Sequence, residues 1–511
     1  MTHQLEVRLQ RLQAELDPTK PGRANGADCT DFALDALDAR RPDLAIKLLQ
    51  PIAERGCQDA VIWQCLGLAF RDTQQMDKAV HALSRAHELS PTDPRIAMAV
   101  AQARFERGDP AAQLFERAAK LAPGHLGLLL NQAMALAAEG EVDKADTMLS
   151  GLLGRAPEWI EGHEALSLLR WMRGRAERFR DSLDRAIARH PANVGLRLSL
   201  YRILMQTDHA GDARIVLDAA GPLRDPALDA SRACWEAEHG DSGVAMTLFN
   251  RLPGAVAKQV AITHVRLLLK AGHTGQAETR ALAALDGGRN MAMWPYLSTI
   301  WRLTGNRRAA WLDGEPPYIE NVNLGLSVND LATLGEIVRG LHTANASFPA
   351  QSVRGGTQTD QPLFHRPEPE LTHLRQYLIE AFRTFVDRLP PRQAGHPLLE
   401  SARNDLRFQG SWSVRLEGGG FHVTHTHPHG WISAVFYIDR PSTEDMGRAP
   451  AGWLELGTPP PELGLNLPAY ATVEPVPGRL VIFPSTMWHR TLPFASGERL
   501  TIACDLQPPA Y

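Results

Sequence analysis

The stretch WQCLGLAFRDTQQMDKAVHALSRAHELSP, residues 63–91, decides how most of this chain folds. Trp63, Leu66, Gly67 and Phe70 recur at the spacing of one helical face, and Ala79, Leu83 and Ala86 mark a second helix. Small residues at Gly67 and Ala79 let two antiparallel helices approach closely. Pro91 stops the second helix, because proline cannot continue the hydrogen-bond ladder. One such pair cannot bury its apolar face alone, so neighbouring pairs must stack on it.

The frame recurs along the chain with a period of about 34 residues. Ala45 and Leu49 lie one period upstream. Downstream come Ala111, Phe115, Ala118 and Pro123, then Ala145, Leu149 and Pro157, then Leu183, Ala186 and Pro191, then Ala213, Leu217 and Ala220. Weaker echoes occur at Ala245, Phe249 and Pro253 and at Ala277, Ala281 and Ala284. The template fits roughly seven or eight units over residues 28–312. The pattern Trp-x2-Leu-Gly-x2-Phe followed by Ala, Leu, Ala and Pro resembles the tetratricopeptide family. That resemblance implies an α-solenoid whose concave groove takes a peptide or protein ligand. Packing against the rest of the chain is the other use of such a face.

At 511 residues the chain exceeds one ordinary core, and two or three domains are expected. A formal charge of −4 gives no basic excess, which argues against nucleic acid as a partner. Cys29, Cys57, Cys65, Cys234 and Cys504 are scattered and lack CxxC spacing, so neither a disulfide framework nor a thiolate zinc site is expected. The first residues, MTHQLEVRLQRLQAEL, are charged throughout and do not read as a signal peptide. Leu5, Leu9, Leu12 and Leu16 form an amphipathic stripe suited to capping the first repeat or to pairing chains. No stretch is apolar enough to span a bilayer, so no membrane partner is expected and the reading is cytoplasmic.

Composition changes at WLDGEPPY, residues 311–318, where Gly and Pro break the helical pattern. The expected organisation is a cap over 1–27, a repeat array over 28–315 and a third region over 316–511. Within that region, helical support is expected over 325–390, with helices near 327–343 and 369–388 and a Gly-rich, β-leaning piece at 352–359 between them. A strand-rich core follows over 405–508, with alternating runs at 412–416, 431–438, 478–483 and 499–503. Many short strands bounded by Gly/Pro turns predict a barrel or jelly roll. The fold class is multidomain α + β.

Four histidines, His422, His425, His427 and His429, crowd the start of that core. Strand alternation puts His425 and His427 on one face and turns His422 away. Pro428 is expected to end the strand and leave His429 in a turn. Two imidazoles on one face can reach one metal ion, and His489 is the natural third ligand. Iron(II) oxygenases usually use two histidines and a carboxylate, and His427 stands where that carboxylate would be, so either His427 ligates or His425 and His489 hold the iron with water filling in. A short His-rich tract can also bind metal incidentally. Arg499 and Thr501 share a face by the same alternation. A guanidinium clamps a carboxylate with two bonds and a hydroxyl adds a third, as anchoring the remote carboxylate of 2-oxoglutarate requires. Taken alone, Arg499 reads as a surface ion pair.

The segments RGGTQT (354–359), HTHPHGWISAVFYI (425–438) and FPS (483–485), with His489 and Arg499-Leu-Thr501, resemble the 2-oxoglutarate/iron(II)-dependent oxygenases of the double-stranded β-helix fold. The likeness covers about residues 318–508 and is closest to a bacterial branch often joined to tetratricopeptide repeats. It implies His425, His427 and His489 as Fe(II) ligands and Arg499 with Thr501 as the 2-oxoglutarate anchor, with dioxygen as oxidant. Ser433 and Tyr437 share a strand face and are candidates to touch the cosubstrate, with barrel packing as their other role. Trp431 and Trp488 are expected to pack. The implied activity is hydroxylation of a peptide or protein recruited by the repeats, a layout similar to that of aspartyl/asparaginyl β-hydroxylase. Two other readings compete: a repeat scaffold with an inactive barrel, and a three-His cupin-type metal enzyme without 2-oxoglutarate. Arg499-Leu-Thr501 favours the first reading over the last.

Overall fold

The computed structural model describes residues 2–15, 26–221, 223–349 and 351–508. Helices Ala60–Asp72 and Met76–Leu89 form on the stretch that set the repeat frame. The Asp59 carboxylate caps the first of them by accepting from the Val61 N–H. Ala79, Leu83 and Ala86 are fully buried. A Cβ at position 67 would stand 2.6 Å from Leu83 Cγ, so this approach of two helices requires glycine. The frame residues of later units, among them Phe115, Leu149, Leu183, Leu217, Phe249 and Ala281, are buried in turn. The helix Thr2–Glu15 lays Leu5, Leu9 and Leu12 on the core around Phe32, Leu44 and Leu48. Leu16 lies outside the described residues.

The chain forms two compact units, residues 1–149 with 361–372, and 150–360 with 373–509. The first unit consists largely of the early repeats. The second joins the later repeats to a curled antiparallel sheet of jelly-roll type. Helix gives way to strand near 314–320, where the composition shifts, yet the later repeats share a compact unit with the sheet. Trp488 explains part of this: its indole N–H reaches Pro295 O and Thr299 Oγ1, both at 3.1 Å, on the last long repeat helix, Trp294–Leu303. Its ring packs among Trp294, Tyr296 and Trp301. Arg302 of the same helix donates to the carbonyls of Gly457 and Pro468.

The strands are β1 Glu320–Asn323, β2 Val353–Gln358, β3 Phe408–His425, β4 Ile432–Asp439, β5 Leu454–Leu456, β6 Ala471–Val473, β7 Arg479–Pro484, β8 His489–Thr491 and β9 Arg499–Leu506. The order across the sheet is β1-β7-β4-β9-β3-β8-β5-β6, with β2 paired to β3. The expected runs fall on β3, β4, β7 and β9, those at 431–438 and 478–483 starting one residue ahead of their strands. The expected helices are Val328–Gly340, opened by a Ser327/Asp330 capping box, and Pro369–Arg388. β3 is longer than its alternation suggests, because it continues through Gly418–Gly420. A Cβ on Gly420 would lie 2.5 Å from Gly355 O, so only glycine lets the β2–β3 pair cross here. The strands β1, β5, β6 and β8 are three or four residues long, too short to display a period.

Candidate metal centre

The register of β4 against β9 builds one wall of the site. Ser433 is opposite Asp505 and Tyr437 is opposite Thr501, and opposed residues of an antiparallel pair project from the same face. Alternation along β9 puts Arg499, Thr501, Ala503 and Asp505 on that face, and all four line one cavity of about 1000 Å³.

β3 and β8 supply the other wall, with His425 opposite His489. His427 lies just beyond β3, its backbone N–H bonded to Ser485 O at 2.9 Å. One ring nitrogen from each of His425, His427 and His489 lies within 4.8 Å of the others. His429 is exposed in the following turn.

Hydrogen bonding sets the tautomer of all three rings. Nδ1 of His425 lies 2.9 Å from Val423 O, that of His489 lies 3.0 Å from Met487 O, and that of His427 lies 2.6 Å from Asp505 Oδ1. Each acceptor is an oxygen, so each Nδ1 donates and Nε2 is the nitrogen left to face a metal. Burial, aided by the neighbouring His427, lowers the pKa of His425 to about 3. Burial likewise holds His489 well below the ordinary histidine value. Neutral imidazole is the ligating form.

The structure corrects the placement of His422. Between His422 and His425, β3 carries one residue more than the facing β8, so the strand bulges and the alternation changes parity. His422 therefore comes round to the same cavity instead of facing away. Its ring stacks 5.7 Å from that of His425, and its Nδ1 lies 2.9 Å from Ser352 Oγ. The same hydroxyl is 3.1 Å from His425 Nε2. His422 stays outside the cluster of converging nitrogens.

Ser433 stands behind His427. Its hydroxyl donates to Asp505 Oδ1 at 2.6 Å and lies 2.8 Å from Ser485 Oγ. Tyr437 lies against Arg499, with the guanidinium 4.9 Å from its ring centre. Burial raises the pKa of the Tyr437 hydroxyl, which stays a neutral phenol. Arg499 is 1% exposed, and its Nε has no hydrogen-bond partner. Among the described residues no carboxylate pairs with it. An unpaired buried charge costs several kcal/mol, so this pocket suits an anion. The Thr501 hydroxyl is poorly satisfied, its nearest acceptor being Val414 O at 3.5 Å. Trp431 packs, with its N–H on Leu398 O at 2.9 Å.

Sequence reasoning missed Asp505 and Ser352. Asp505 was within reach of the rule that linked Arg499 to Thr501, carried two steps further along β9. Ser352 had no signal, because only the β2–β3 pairing brings it to His425.

Residues 410–505 match the family described as "Putative 2OG-Fe(II) oxygenase", and residues 104–169 match a tetratricopeptide repeat family. No curated protein matches the chain. Among solved structures, a Pseudomonas putida prolyl-4-hydroxylase is 19% identical, with a TM-score of 0.25, covering 37% of this chain and 92% of its own. YrrB, a TPR protein described as having an unusual peptide-binding site, is 14% identical with a TM-score of 0.30, covering 38% of this chain and 96% of its own. MamA from MSR-1 is 20% identical with a TM-score of 0.28, covering 32% and 96%. Scores this low leave the functional argument on the chain's own residues. The chain carries a tetratricopeptide repeat region and, at residues 410–505, a domain of the 2OG-Fe(II) oxygenase family.

Proposed function

We propose that the chain is a 2-oxoglutarate- and Fe(II)-dependent dioxygenase that hydroxylates a peptide or protein brought to it by the repeats. One observation carries the reading. Arg499, buried and met by no carboxylate among the described residues, shares a cavity with three imidazoles, one nitrogen of each lying within 4.8 Å of the others.

The residues fit the groups this activity needs. His425, His427 and His489 would hold Fe(II), and Arg499 with Thr501 would hold the far carboxylate of 2-oxoglutarate. Bound there, the two supply oxidation of a C–H bond by dioxygen, coupled to decarboxylation of 2-oxoglutarate to succinate. The chain's own part is to bind, orient and exclude water. Asp505 accepts the His427 Nδ1 proton, Ser433 donates to Asp505 in turn, and Ser485 is bonded to Ser433 behind it. The Tyr437 ring covers one side of the Arg499 guanidinium, and burial strengthens the pull of that charge on a carboxylate. A three-His metal enzyme without 2-oxoglutarate would leave Arg499 without a role.

The test is spectroscopic. Fe(II) and 2-oxoglutarate added without oxygen should produce a metal-to-ligand absorption band, and succinate should appear once oxygen is admitted. A protein that gives neither, with or without added peptides, is not this enzyme.

A further inference from the structure

The cavity that holds the three histidines is walled on its other side by repeat helices: Val194–Gln206 through Tyr201 and Met205, Pro226–His239 through Ser231 and Cys234, and Ala261–Lys270 through Thr263. Its volume of about 1000 Å³ stands at the top of the range for small-molecule pockets, roughly 300–1,000 Å³. That leaves room beyond a bound dicarboxylate. Amide and hydroxyl side chains, Gln206, Ser231, Gln259 and Thr263 from the repeats and Gln351 and Gln358 from the barrel, line the space. They both donate and accept, as the N–H and C=O groups of an extended peptide require.

Most charges on these walls are neutralised locally. Arg202 pairs with Glu164 at 2.5 Å, Glu238 with Arg266 and Lys270 at 2.7 and 2.6 Å, and Arg490 with Glu455 at 2.7 Å. Asp208 is the exposed acid on the repeat side. Arg354 differs from Arg202 and Arg490 and shares with the deeper Arg499 the lack of a carboxylate partner among the described residues. It is half-buried on β2, its Nη1 donates only to the carbonyls of Gln351 and Val353 at 2.7 and 3.0 Å, and no carboxylate among the described residues meets it. Alternation puts Arg354 on the same strand face as Ser352, whose hydroxyl reaches His425. The two positions are about 7 Å apart along the strand. Val353, between them, points into the separate core around Val414 and Phe494.

We propose that Arg354 receives an acidic side chain of the peptide substrate, which lies between the repeat helices of residues 194–270 and the mouth of the sheet. The proposal rests on the oxygenase reading for the chemistry done at the histidines, while the recognition it assigns is measured separately. A carboxylate held by Arg354 would set the register of the peptide and so select which residue meets the metal.

The probe is a degenerate hexapeptide library presented to the full chain under nitrogen, once loaded with Fe(II) and 2-oxoglutarate and once metal-free. Bound peptides are read by mass spectrometry. Asp or Glu should be enriched at one position. A synthetic peptide with that acid should bind about tenfold tighter than its Asn or Gln counterpart by fluorescence anisotropy. Arg354→Gln, which keeps a donor for the backbone carbonyls, should abolish the difference, and Arg354→Lys should keep part of it. The same samples report the absorption band and the melting temperature, so a misfolded variant is recognised. Absence of acid enrichment, or a preference that survives Arg354→Gln, overturns the proposal. So does loss of 2-oxoglutarate affinity in Arg354→Gln, which would give Arg354 to the cosubstrate. If the band is absent but the metal-free protein still selects acids through Arg354, the oxygenase reading fails and the recognition stands.

Discussion

His427 Nδ1 stands 2.6 Å from Asp505 Oδ1, on the face of β9 that also carries Arg499 and Thr501. The carboxylate absent from the three-imidazole set is thus present one hydrogen bond behind it. Such a partner fixes ring orientation and makes the imidazole a stronger ligand.

Asp505→Asn should weaken Fe(II) binding by about 10–100-fold, the usual cost of losing an outer partner of a ligating histidine. An amide can donate to Nδ1 and so push the ring proton onto Nε2. Anaerobic metal titration measures the effect, and unchanged affinity would separate Asp505 from the metal.

Arg499→Met should act in opposite directions on stability and binding. Removing an unpaired buried charge should stabilise the metal-free protein by about 1–3 kcal/mol in urea unfolding. The same change should reduce 2-oxoglutarate affinity by at least about tenfold. A variant that binds 2-oxoglutarate normally would refute the anchor.

His422→Ala should leave Fe(II) affinity within a few-fold, because His422 stands beside the nitrogen cluster without joining it. His425→Ala, His427→Ala and His489→Ala should each lose it. If His427→Ala bound iron as tightly as the parent chain, the three-imidazole set would be wrong.

Metal-free protein should lose stability on mild acidification. His264 is 4% exposed and stacks 4.5 Å from Phe249, and burial, helped by the nearby Arg280 charge, lowers its pKa from 6.5 to about 4. Between those values the unfolded chain takes up a proton that the folded one refuses. Stability is therefore lost as the pH falls below 6.5, and the loss levels off near 4. His264 alone should contribute roughly 1–2 kcal/mol between pH 6.5 and 5. Urea unfolding across that window should show a shallower slope for His264→Gln.

Gly67→Ala tests the repeat packing. Alanine gains about 1 kcal/mol in helix propensity, but its Cβ would meet Leu83 Cγ at 2.6 Å. Overpacking of that kind costs about 1–3 kcal/mol, so the net change should be destabilising by roughly 1 kcal/mol. Urea unfolding reads this too, and a more stable variant would mean that the helices can part freely.

Much of the architecture was legible because its signals are local. The Trp63–Pro91 frame repeats in sequence because each helix pair makes the same contacts with its neighbours. Alternation in the runs that became β4, β7 and β9 reflects one buried face. His425, His427, His489, Arg499 and Thr501 stood out by residue type and spacing. His422 was misplaced for a definite reason: alternation holds only while two strands advance in step, and β3 gains a residue on β8 between His422 and His425.

The sequence by itself determined the helical period, the runs that became parts of β3, β4, β7 and β9, and the set of side chains able to bind metal, since each depends on residue type and on contacts between near neighbours in the chain. Tertiary structure decided the rest. It set Asp505 behind His427, brought Ser352 to His425, buried Arg499 with no carboxylate among the described residues to pair it, and made repeat helices a wall of the histidine cavity. These depend on strand register and on packing between segments far apart in the chain, and no local pattern encodes which distant surface will meet another.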